Sequence, residues 1–74
     1  MLRDDDEICA EMDVVCVDGV RIGRVAAVLT ADLQLRDAQA GREHLVPLAF
    51  IRSVDDVVRL VVTESEARRT WRRL

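Results

Sequence analysis

The sequence predicts a mainly β fold: a small β-barrel or rolled sheet of about five to six strands, followed by a short C-terminal α-helix. Three observations carry this. The apolar half of the chain is mostly Val, Leu, Ala and Ile, with one Phe, one Trp and no Tyr, and β-branched side chains suit a pleated surface. Apolar and polar residues alternate in short runs that Asp-Gly and single Gly positions interrupt. After Thr63 the apolar period lengthens from strand-like to helical.

Met12 to Val17 reads as the first strand. Asp18-Gly19 follows between two β-branched runs, a hairpin signal because Gly accepts the positive φ of a tight turn. The second strand runs from Val20 to about Leu29, and Gly23 within it marks a bulge or a sharp bend. Asp32 to Arg36 alternates cleanly, with Leu33 and Leu35 on one face. Asp37 to Gly41 is the next turn. Glu43 to Phe50 is the fourth strand, with Pro47 at an edge or where the strand leaves the sheet, because proline cannot donate to a ladder. Ile51 to Asp56 reads as a short turn and Val57 to Thr63 as the fifth strand, giving meander order. Thr63-Glu64-Ser65-Glu66 fits a capping box. Ala67, Trp71 and Leu74 then form one helical stripe.

With 74 residues the chain is one domain with a thin core. Its expected parts are an acidic lead-in at 1–7, a β domain at 8–63 and a helix at 64–74 packed on or beside it. All eleven basic residues are Arg, so Lys-based covalent catalysis is excluded. A net charge of −3 argues against a general polyanion binder, and the scarcity of aromatics argues against base stacking. Cys9 and Cys16, joined only by His44, fall short of the four ligands of a structural zinc site. They read as small buried or half-buried thiols of a reducing compartment. No apolar run approaches the roughly 20 residues of a membrane span. The acidic start is the reverse of a signal peptide, so the expected location is cytoplasmic.

Val17-Asp18-Gly19-Val20-Arg21-Ile22-Gly23-Arg24-Val25 resembles the opening hairpin of PRC-barrel domains. His44-Leu45-Val46-Pro47-Leu48-Ala49-Phe50-Ile51 is similar to that family's later strand, and Val57 to Thr63 to its closing strand. The resemblance covers residues 8 to 63. It implies a small adaptor barrel with no catalytic residues, and its ribosome-linked members make an RNA contact conceivable. Many relatives place a Gly just before the first strand, where this chain has Glu11.

Candidate sites are few. Asp55-Asp56 reads as a solvated turn, because neighbours on a strand point to opposite faces. His44 reads as a rim residue, since neither Ser53 nor Ser65 sits in a nucleophile elbow. No enzyme, cofactor, metal or small-molecule substrate is therefore expected. Two partner surfaces stand out. Arg68, Arg69, Arg72 and Arg73 make a basic helix face with Trp71 beside them, which either packs the helix or anchors a partner. The first and last strands are apolar on both faces, leaving Val15, Val17, Val57 and Val61 as a candidate self-association face. The expected function is a non-enzymatic, homo-oligomeric protein-interaction module, with dimers favoured. The alternative is an RNA- or ribosome-associated accessory domain using the Arg-rich helix.

Overall fold

The structure is a computed structural model and describes residues 8–73. The acidic lead-in at 1–7 and Leu74 lie outside the described residues. The chain forms β1 (Asp13–Val15), β2 (Arg21–Val28), β3 (Asp32–Asp37), β4 (Glu43–Pro47), a 3₁₀ turn (Leu48–Phe50), β5 (Ile51–Val54), β6 (Val58–Leu60), α1 (Glu64–Thr70) and a two-residue β7 (Arg72–Arg73). The fold is mainly β with one short helix near the C-terminus. Six strands and the small β7 lie in one sheet, in the order β5-β6-β1-β2-β3-β4-β7. Since β5 and β7 do not meet, the sheet is rolled but not closed.

β1 to β4 are successive antiparallel neighbours. The turns between them follow from their residues: Gly19 and Gly41 take positive φ of 86° and 71°, the backbone region that favours glycine. Pro47 is the last residue of β4, and the 3₁₀ turn starts after it. There the Leu48 N–H donates to the Ala31 carbonyl at 3.0 Å. This crossing redirects the chain, and the meander order ends. Ile51 to Val54, expected as a turn, forms β5 and pairs antiparallel with β6 around an irregularity between Ile51 and Ser53. β6 then lies parallel to β1, with Val14 opposite Val58.

Gly23 shapes β2 by the space it leaves. A Cβ there would lie only 2.1 Å from the Arg36 carbonyl oxygen, so only glycine permits β3 to approach this closely.

One face of the sheet holds the core. Val14, Ile22, Val25, Leu33, Leu35, Val46, Val58 and Leu60 are each 2% exposed or less. Burying side chains of this size stabilises by about 1.5–3 kcal/mol each. Ala67 of α1 is fully buried in the same cluster. The capping box forms as its residues predict: the Glu66 N–H donates to Thr63 Oγ1, and the Thr63 N–H donates to Glu66 Oε1. A cap of this kind contributes about 1 kcal/mol.

The helix does not run to residue 74. It ends at Thr70, and Trp71 is already extended, with φ −69° and ψ 155°. Thr70 Oγ1 donates to the Glu66 carbonyl at 2.8 Å, within the last turn. Beyond it the edge of β4 offers ladder partners, and Arg72 and Arg73 pair with Leu45 and His44.

Replacing Gly23 with Ala should destabilise the fold by about 2–3 kcal/mol, as overpacking does, because the obstacle is backbone that cannot move aside. Denaturant unfolding measures this. A loss below about 0.5 kcal/mol would show that the approach of β3 is not tight.

Candidate interaction surface

The two candidate surfaces lie on different parts of the sheet. The first is the outer face of β1 and β6. Val15 lies opposite Arg59, and past the strand ends the Val17 N–H donates to the Val62 carbonyl at 2.8 Å. Alternation sends Val14, Cys16, Val58 and Leu60 inward to the core, so Val15, Val17, Arg59 and Val61 share the outer side. Val17 is 49% exposed and Val61 50%, with Val20 of the adjoining turn at 36%. Val15 and Val57 are half-buried. The rim is charged in both senses. Arg59 pairs with Asp55 at 3.3 Å, and Arg21 pairs with Asp13 at 3.3 Å.

The second surface, around α1, is largely tied to its own chain. Arg68 pairs with Glu64 at 2.9 Å and with Asp37 at 3.4 Å. Its guanidinium lies 5.1 Å from the centre of the Trp71 ring. Trp71 stacks on His44 with centroids 3.9 Å apart and planes 4° from parallel. Arg72 pairs with Asp32 at 2.9 Å. Arg69 is exposed, and Arg73 joins the β4 ladder through its backbone. The Arg-rich segment is thus divided: Arg68 and Trp71 dock the helix, and Arg72 pins the chain beyond it.

Three residues differ from their expected settings. His44 is only 6% exposed, not a rim residue. Asp37, read as part of a turn, is buried to the same degree. The signal for both lay in the alternation, since Leu33, Leu35 and Asp37 share one parity, as do His44 and Val46. Cys9 is exposed, and only Cys16 is buried. Among the described residues no disulfide joins them. Burial, with the Asp18 and Glu64 carboxylates nearby, pushes the Cys16 thiol up to about 11.

The burial of Asp37 opposes its ionisation, but the Gln39 N–H at 3.0 Å and Arg68 outweigh it and hold its carboxyl below the usual carboxylate range. Asp55 also lies low, through the Val57 N–H and Arg59. With Asp56 it forms the exposed turn expected of the pair. Among the described residues, no His, Cys, Asp and Glu group is placed to hold a metal ion, and no helix is long and apolar enough to cross a membrane.

The fold and surfaces define a small, open-sheet β module whose C-terminal helix is docked by a partly buried ion pair and a stacked aromatic. The chain belongs to DUF2171, a family described as uncharacterized proteins conserved in bacteria, whose model matches residues 8–68. This overturns the PRC-barrel resemblance, since no model of that family matches. The quoted pieces, an Asp-Gly hairpin, a strand glycine and a Val-Pro-Leu strand exit, are turn and edge devices that unrelated β proteins share. No curated protein matches the chain.

Two predictions follow from the buried groups. Since the Asp37 carboxyl is depressed in the folded state, it stabilises the fold above its unfolded value of about 4. That stability is lost as pH falls through the folded value. Asp37→Asn should therefore lower stability at pH 7 and flatten its acid limb in pH-dependent thermal unfolding; an unchanged acid limb would refute the assignment. In a Cys9→Ser background, Cys16 should resist iodoacetamide at pH 8 in the native state and react on unfolding. Rapid native alkylation would contradict its burial.

Proposed function

We propose that this protein is a non-enzymatic interaction module that self-associates through the outer face of β1 and β6. The observation that carries the reading is the pair Val17 and Val61, just past the ends of β1 and β6 and each about half exposed, beside a sheet whose core lies on the opposite face. A surface made for water alone would place polar residues there. A second copy suits the patch because its rim is self-complementary. Asp55 with Arg59 borders it on one side and Asp13 with Arg21 on the other. Because each border carries both an acid and a base, an isologous contact between two copies can set opposite charges against each other. A stable interface needs roughly 800 Å² from each partner, more than the valines supply, so the charged rim belongs to the contact.

The cytoplasm is the proposed setting, in keeping with two cysteines that are not bridged. A basic helix reaching for RNA has less support, because Arg68 and Arg72 already face their own carboxylates.

Light scattering after size exclusion at micromolar concentration should give the mass of a dimer. Val17→Asp combined with Val61→Asp should give a folded monomer by circular dichroism. A monomeric wild-type protein at all concentrations would overturn the proposal.

A further inference from the structure

The outer face also carries a row of charge that meets the rim of the valine patch at Asp13 and continues away from it across β2, β3 and β4. Along one register line Asp13 faces Arg24, Arg24 faces Arg36, and Arg36 faces Glu43. Two like charges are directly opposed at its centre, which disfavours a sheet. An acid at each end of the row pairs with these arginines. Asp13 pairs with Arg21 at 3.3 Å and with Arg24 at 3.5 Å, and Glu43 pairs with Arg36 at 3.2 Å. Neither Asp13 nor Glu43 lines the cleft of about 340 Å³ on which Arg21, Arg24 and Arg36 converge.

The rest of the cleft wall is short: Val25, Ala26, Ala38 and Gly41 leave space between the guanidinium groups. Asp37 touches the cleft, but its side chain is 7% exposed and turned to Arg68. Among the described lining residues this leaves Glu11 as the acid that faces the arginines, 3.9 Å from Arg24 and 65% exposed. Glu11 also holds a φ of 71°, a region glycine enters freely and other residues only at a cost. Its N–H, donating to the Val25 carbonyl at 2.8 Å, fixes it there. A backbone in this region thus presents a carboxylate to the cleft beside Arg24.

We propose that this cleft is an oxyanion site for phosphate, free or as the phosphoryl group of a small molecule. Arg24 and Arg36 clamp it from adjacent strands, Arg21 adds a third donor, and the Glu11 carboxylate competes for the Arg24 guanidinium. Guanidinium forks match phosphate oxygens in geometry and charge, and a phosphate bridging Arg24 and Arg36 relieves their repulsion. Gly23 contributes by allowing β3 close enough for the two arginines to share one ligand. Arg21 also borders the proposed self-contact, but the clamp of Arg24 and Arg36 comes from one chain and needs no second copy.

The test is a titration of the full chain with inorganic phosphate at constant ionic strength, followed by backbone and Arg Nε–H NMR shifts. Saturable shifts centred on Arg24 and Arg36 are expected. Arg24→Gln and Arg36→Gln should each weaken binding about tenfold, as loss of a charge-assisted hydrogen bond does. Glu11→Gln should tighten it about threefold, the scale of an exposed charge pair. Methyl phosphate separates the sources: binding equal to that of phosphate supports a phosphoryl ligand, and weaker binding supports the free ion. Shifts no different from those with chloride would overturn the proposal. So would equal affinities for the wild type, Glu11→Gln and Arg36→Gln. Glu11→Gln keeps the test decisive should an arginine variant fail to fold.

Discussion

A sheet of short strands that does not close on itself has one apolar face to cover and too few strands to cover it with. Here the cover is a helix of only seven residues, Glu64–Thr70, shorter than any that would hold its shape alone in water. It is held at several points. Ala67 enters the core, the Glu64 N–H reaches Asp18 Oδ2 at 3.3 Å, Arg68 meets Asp37, and Trp71 lies flat on His44. The Asp37–Arg68 pair bears most on the rest. The side chain of Asp37 is 7% exposed and that of Arg68 27%, so removing either partner leaves a charge that water reaches poorly, and this costs more than the pair gains by forming. The core can tolerate Asp37 only with the helix docked.

The same pair explains why the basic C-terminal segment is a fastening more than a free face. Its arginines meet three acids from two elements: Glu64 within α1, and Asp37 and Asp32 from the two ends of β3. Net charge and local charge thus give different impressions. Four arginines within six residues look like a docking surface for a polyanion, yet the partners of two of them lie in the same molecule. Exposed valines and a second group of arginines lie on the opposite side of the sheet.

Much of the fold was legible because its signals are local. Asp18-Gly19 and Gly41 announce turns through backbone chemistry, Thr63 and Glu66 announce a helix start through reciprocal hydrogen bonds, and Leu33 and Leu35 announce a buried face through alternation. What escaped was set by distant partners. β5 looked like a turn because its four residues become a strand only against β6. The parallel pairing of β1 with β6 leaves no local mark at all. The helix seemed to continue because Trp71 fits a helical stripe, and it stops because β4 offers a ladder and His44 a ring to stack on. Asp37 and His44 were misread by residue type when their parity was informative. The valine face was visible as an excess of apolar positions, whereas the arginine cleft was not, because Arg24 and Arg36 become neighbours only through strand register.

The parallel contact of β1 with β6 also bears on how the chain acquires its shape. Val14 and Val58 are forty-four residues apart along the chain and adjacent in the sheet. Closing so long a loop carries an entropic cost that hairpins avoid. The β1–β4 meander can therefore assemble first, while one edge of β1 waits for its neighbour. On a ribosome that edge is unpaired until β6 has emerged, and it flanks Val15 and Val17. The interval before β6 arrives is when this small sheet is most open to pairing with the wrong strand.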